Sequence, residues 1–103
     1  MITNLYDETI KAINGRKIAY AKIKVGNDND IWGEYINLKP NHTYSERGEF
    51  YNSLRNINYD NGYGSQYIFG FVVFTDGTWI ERKEHDGSEW WYSKRCPIFT
   101  DLV

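Results

Sequence analysis

The sequence predicts an α+β domain, an antiparallel five-stranded sheet with two short helices in the order α-β-β-α-β-β-β. Three observations carry that reading. Two Asp-Gly pairs, Asp76-Gly77 and Asp86-Gly87, punctuate aromatic and β-branched runs between Tyr67 and Tyr92. Asp-Gly between such runs signals a hairpin, because both residues tolerate the positive φ of a tight turn. Two stretches carry apolar residues at helical spacing, and two others alternate as half-buried strands do. The chain of 103 residues is read as a single domain, 1–103, able to bury roughly two-thirds of its unfolded surface.

The elements follow in order. Residues 3–14 read as a helix, with Thr3 or Asn4 as cap, Asp7 and Glu8 in the first turn, and Gly15 as the stop. Leu5, Tyr6, Thr9, Ile10 and Ile13 form its apolar stripe. Lys17 to Val25 alternates as a strand, with Ala19, Ala21, Ile23 and Val25 on one face and Lys22 and Lys24 on the other. Residues 26–30 are a turn-rich loop, and Ile31 to Leu38 a second strand with Trp32, Ile36 and Leu38 on one face. Ser45 is placed to cap a second helix over 46–57, whose buried side carries Phe50, Leu54 and Ile57. Residues 58–65 read as a loop. Strands over 67–74, 78–85 and 89–95 form the meander, and Cys96-Pro97 ends it.

Two-residue turns at both Asp-Gly pairs put Phe69, Phe71, Val73, Ile80 and Trp91 on one face of the meander. They put Ile68, Val72, Phe74, Trp79, Trp90 and Tyr92 on the other. Both faces are apolar, whereas a sheet with one wet face normally shows polar residues there. The chain also holds 4 Trp, 9 Tyr and 5 Phe, 17% of its residues, more large rings than two helices and a small sheet hide easily. The expectation is an exposed aromatic face or a homodimer, and exposed patches of this kind mark partner surfaces.

Charge narrows the partners. The net charge of −2 argues against direct nonspecific nucleic-acid binding, which needs a clustered positive field. The single cysteine, Cys96, leaves no internal disulfide and fits a reducing compartment. The N-terminal residues lack the basic and apolar regions of a secretory signal, and no apolar run spans a membrane. A soluble protein of the cytoplasm is the expected setting.

Several clusters invite a chemical reading, and each has a plainer one. Gly62, Tyr63, Gly64 and Gln66 lie in a loop whose amides can cradle a phosphate or nucleotide. The loop lacks the spacing of a P-loop, and a strand rather than a helix follows it. Glu84, His85, Asp86 and Glu89 gather at a hairpin tip, but carboxylates at a turn ordinarily meet only water, so no metal site is read. A general acid–base pair among Glu81, Glu84 and Glu89 lacks anything that visibly raises a pKa. Cys96 lies beside Lys94 and Arg95 without an identifiable histidine partner. No enzyme and no cofactor is predicted. Trp79, Trp90, Trp91 and Tyr92, ringed by Glu81, Glu84, Asp86 and Glu89, have instead the composition of a protein-binding hot spot.

The runs Asn58-Tyr-Asp-Asn-Gly-Tyr-Gly-Ser-Gln66, Phe69-Gly70, Asp76-Gly-Thr-Trp79-Ile-Glu-Arg82 and Asp86-Gly-Ser-Glu-Trp-Trp91 resemble a family of small proteins encoded by bacteriophages and prophages. The resemblance covers about residues 54–97, and His85 stands where that pattern has a Tyr. It implies an anti-defence protein of the anti-CRISPR kind, by analogy of size, source and lack of chemistry. Such a protein is an inhibitor acting in the host cytoplasm by occupying a surface of a host protein or ribonucleoprotein defence complex, here through an aromatic and acidic surface.

Overall fold

The computed structural model describes residues 2–26, 33–62 and 64–96. These form β1 (Ile2–Asn4), α1 (Leu5–Ile13), β2 (Ile18–Val25), β3 (Glu34–Leu38), α2 (Tyr44–Arg55), β4 (Asn58–Asp60), β5 (Ile68–Phe74), β6 (Trp79–His85) and β7 (Ser88–Lys94). The main sheet has the order β3-β2-β5-β6-β7 with every neighbouring pair antiparallel. The α+β architecture is the one the sequence predicts. The expected strand position of Trp32 lies outside the described residues.

Both helices begin as their end chemistry dictates. The Asp7 N–H donates to the Asn4 side chain at 3.2 Å, and Asn14 closes α1 in the left-handed conformation. At α2 the cap is Thr43 rather than Ser45. Thr43 has a glutamate three residues on, so a capping box forms: the Thr43 N–H donates to Glu46 at 2.9 Å and the Glu46 N–H to Thr43 Oγ1 at 3.1 Å. Leu5, Thr9 and Ile13 are the buried stripe of α1, while Ile10 stays exposed. Phe50 and Leu54 anchor α2.

A two-stranded sheet was not expected. β1 and β4 pair from Ile2↔Asp60 to Asn4↔Asn58. Three-residue strands are too short for alternation to show, and their Asn and Asp content reads as cap and loop. Tertiary bonds hold them: Asn4 Nδ2 donates to the Arg55 carbonyl and to Asn58, each at 3.0 Å, and the Leu5 N–H donates to the Ile57 carbonyl at 2.9 Å.

The register of the meander departs from the expectation at one turn. Asp86 and Gly87 form the predicted two-residue turn, both with positive φ, and His85 pairs with Ser88. The first turn has three residues. The Phe74 N–H donates to the Thr78 carbonyl at 2.9 Å and the Gly77 N–H to the Phe74 carbonyl at 3.1 Å, with Asp76 bonded to the Thr78 amide at 2.9 Å. The extra residue moves β5 by one position, and a one-residue shift swaps faces. Val72 therefore pairs with Ile80, and Val73 with Trp79.

Ile68, Val72 and Phe74 face inward with Ile80 and Trp91, under both helices. Phe69, Phe71 and Val73 face outward with Trp79, Trp90 and Tyr92. A register shift between Ile18 and Tyr20 in β2 likewise buries Ile18 and leaves Ala19 only half-buried. Gly70 marks a close approach inside the sheet. Its φ is +121°, and a Cβ there would lie 2.0 Å from the Lys22 carbonyl oxygen.

Candidate functional site

The inner face of the sheet carries a buried charged cluster that local sequence reading misses. Arg82 points between the layers with its side chain 1% exposed. Its Nη1 donates to Glu8 of α1 at 2.8 Å, and its Nη2 donates to Glu89 of β7 at 2.7 Å and to the Tyr59 hydroxyl of β4 at 2.8 Å. The Tyr59 hydroxyl in turn donates to Glu8. The Arg82 guanidinium lies 4.9 Å from the centre of the Trp91 ring, and Trp91 Nε1–H donates to Thr9 at 2.8 Å. Glu89 also accepts from the amides of Tyr67 at 2.7 Å and Ile68 at 3.0 Å.

Burial alone would weaken the proton affinity of Arg82. Glu8, Tyr59 and Glu89 outweigh it, so the guanidinium is held more firmly protonated than usual. Burial pushes the Tyr59 hydroxyl well above its ordinary range, and Glu8 reinforces the shift. The cluster ties α1, β4, β6 and β7 together and leaves only Arg82 Nε without a hydrogen-bond partner. Its geometry is that of a structural clasp. Glu89 and Trp91, both expected at a partner surface, are interior. They lie on the inward positions of β7, while Trp90 and Tyr92 take the outward ones.

The glycine loop is packed against the β6–β7 turn. A Cβ on Gly87 would sit 3.7 Å from the backbone of Gly64, and the Glu89 N–H donates to the Asn61 carbonyl at 2.9 Å. The Gly62 amide donates to Asp60 at 3.0 Å, which holds that carboxyl below the usual range. Gln66 Nε2 donates to the Ile68 carbonyl at 2.7 Å. These groups of the expected ligand loop bond to the ends of the flanking strands, two residues away in the chain. Tyr63 lies outside the described residues.

Among the described residues no element covers the outer face of the main sheet, because both helices lie on the other side. Its exposed rings are Tyr20, Tyr35, Trp90 and Tyr92, at 40%, 57%, 38% and 45% exposure, with Trp79, Phe69 and Phe71 half-buried among them. Lysines interleave with these rings across the strands. Lys24 pairs with Tyr35 and Phe69, Lys22 with Phe71, Lys83 with Trp90 and Lys94 with Trp79. Lys83 Nζ stands 4.5 Å from the Tyr92 ring centre and Lys24 Nζ 5.7 Å from that of Phe69.

Glu81 is the acid among them. It pairs with Lys94 at 3.0 Å, accepts from Trp79 Nε1–H at 3.4 Å, and is held below the usual carboxylate range first by Lys94. The other three acids expected to ring the tryptophans are elsewhere. Glu89 is inside, while Glu84 and Asp86 are exposed at the hairpin tip, where the Gly87 N–H donates to Glu84 at 3.3 Å. The surface is thus aromatic and basic rather than aromatic and acidic. Sequence reading placed Lys22 and Lys24 outward but did not join them to the meander. The central pairing of β2 with β5 does that.

Among the described residues no group of three His, Cys, Asp or Glu side chains is arranged to hold a metal ion. No described helix is long and apolar enough to cross a membrane. No protein-family model, no curated protein and no solved structure matches the chain.

Proposed function

We propose that the protein works by binding, with the open face of the main sheet as its docking surface. The role that fits is an inhibitor of the anti-defence, anti-CRISPR-like kind, occupying a surface of a host defence nuclease complex. The observation that carries the docking reading is the outward row Trp79, Trp90 and Tyr92. These rings are half-buried or exposed on a face that no described element covers, and aromatic anchors set in a charged surround are what binding hot spots are made of. The anti-defence role rests on the resemblance alone.

The test is an inhibition and pull-down assay with purified defence nuclease complexes, comparing the parent with a Trp90→Ala, Tyr92→Ala double variant. Loss of capture by the folded variant is the expected result. A variant that captures and inhibits as the parent does would remove the open face from the mechanism.

A further inference from the structure

We infer that the chemistry the open face accepts is a single-stranded nucleic acid, its bases stacked on the rings and its phosphates on the lysines between them. This rests on the reading that the open face is the docking surface on a nuclease complex, and it names the component of such a complex that the face takes.

The net charge of −2 conceals how the charges are sorted. Two acids, Glu8 and Glu89, neutralise Arg82 in the interior, and Glu84 and Asp86 stand at the hairpin tip. Among the described residues the outer face is left with Lys22, Lys24, Lys83 and Lys94 against Glu81, which is paired with Lys94. Lys22, Lys24 and Lys83 form no ion pair among the described residues, although Lys83 still acts on Glu81 through its charge. Each lysine has an aromatic side chain as its cross-strand neighbour.

Adjacent strands lie about 4.8 Å apart, so ring and cation alternate at the scale of single side chains across the sheet. A single strand of nucleic acid presents the complementary alternation of flat base and phosphate. Stacking on aromatic side chains is the general means by which proteins hold unpaired bases. A duplex keeps its bases stacked on one another and offers this face only phosphates. An acidic protein surface would engage the lysines but offers no regular array of flat bases for the rings between them.

The experiment is a fluorescence titration of the full chain with a 12-nucleotide oligouridine and the matching oligothymidine, reading the tryptophans. A duplex of equal length and a poly-glutamate peptide of equal charge serve as competitors. The expected result is saturable quenching by the single strands and at least tenfold weaker binding of the duplex and the peptide. With three lysines contributing, affinity should fall roughly 20-fold between 50 and 200 mM salt. Trp90→Ala should weaken binding at least tenfold, and Lys22→Glu with Lys24→Glu should weaken it and flatten the salt dependence, both with unchanged circular dichroism.

The inference is overturned by the absence of saturable quenching, by poly-glutamate or duplex binding as tightly as the single strand, or by a folded Lys22→Glu, Lys24→Glu variant that binds as the parent does. If the oligonucleotides fail while Trp90→Ala, Tyr92→Ala still abolishes capture of a protein complex, the occupant is wrong and the docking surface stands. If that variant also captures normally, the docking surface itself is wrong.

Discussion

Arg82 and Lys83 are neighbours on β6 and live in opposite surroundings. Arg82 points inward, its side chain 1% exposed, held by Glu8, Glu89 and the Tyr59 hydroxyl. Lys83 points outward, exposed, near the Tyr92 ring. A buried cation is tolerable only when paired and hydrogen-bonded, so the inner face fixes the relative positions of four elements around one guanidinium. An exposed cation keeps most of its hydration and demands no fixed partner. The inner face spends its charge on architecture, and the outer face holds its lysines and rings at exposed or half-buried positions.

The sharpest way to break this contrast is Arg82→Met. It strands the buried Glu89 and the half-buried Glu8, and removing one partner of a buried ion pair costs about 3–5 kcal/mol. Urea denaturation should show that loss. Adding Glu89→Gln should cost less than the sum of the single changes, because the two groups act on each other. Additive effects would mean that the pair is not coupled as its 2.7 Å contact implies.

On the outer face the effect should move from stability to binding. Trp90→Ala and Tyr92→Ala should each change unfolding free energy by no more than about 1 kcal/mol, in keeping with exposed positions. At least one should weaken partner binding by about 2 kcal/mol. Calorimetric titration alongside thermal melts separates the two effects.

A smaller, pH-dependent effect belongs to the three-residue turn that sets the faces. The Thr78 hydroxyl and amide hold the Asp76 carboxyl below its usual range, with help from Arg16. A carboxyl with a depressed folded-state pKa adds stability above its unfolded value of ~3.9, and that stability is lost as pH falls through the folded value. Asp76→Asn should therefore melt below the parent at neutral pH, and the gap should narrow on acidification beneath that range. A constant gap would locate the turn's stability in its hydrogen-bond geometry rather than in the charge. The smallest effect is expected from Glu84→Lys with Asp86→Lys. Both groups stand exposed at the hairpin tip, so stability and binding should stay near those of the parent.

Local chemistry made much of the fold legible. Asn4 before Asp7 and Glu8 announces a helix start. Asp86-Gly87 announces a two-residue turn, and the alternation from Lys17 to Val25 announces a strand. Asp76-Gly77 announced a turn but not its length, since Asp-Gly suits two- and three-residue loops alike. That single residue decided which rings are core.

The buried clasp was illegible for another reason. A charge on a strand reads as solvent-facing, and only partners brought from afar make its burial possible. Glu8 lies 74 positions from Arg82. Misplacing Glu89 followed directly, and with it the expected acidic character of the docking surface. The glycine loop was read for a ligand because its own packing partner, the turn at Gly87, is more than twenty residues on in the chain.

The most direct test of the division between the faces is equilibrium urea unfolding of two variants measured side by side, Arg82→Met and the double variant Trp90→Ala, Tyr92→Ala. The division predicts a loss of at least about 3 kcal/mol for the first and of no more than about 2 kcal/mol for the two outer rings together. The reverse order, a stable Arg82→Met protein and a collapsed ring variant, would show that the outer rings are the true core and the clasp is incidental.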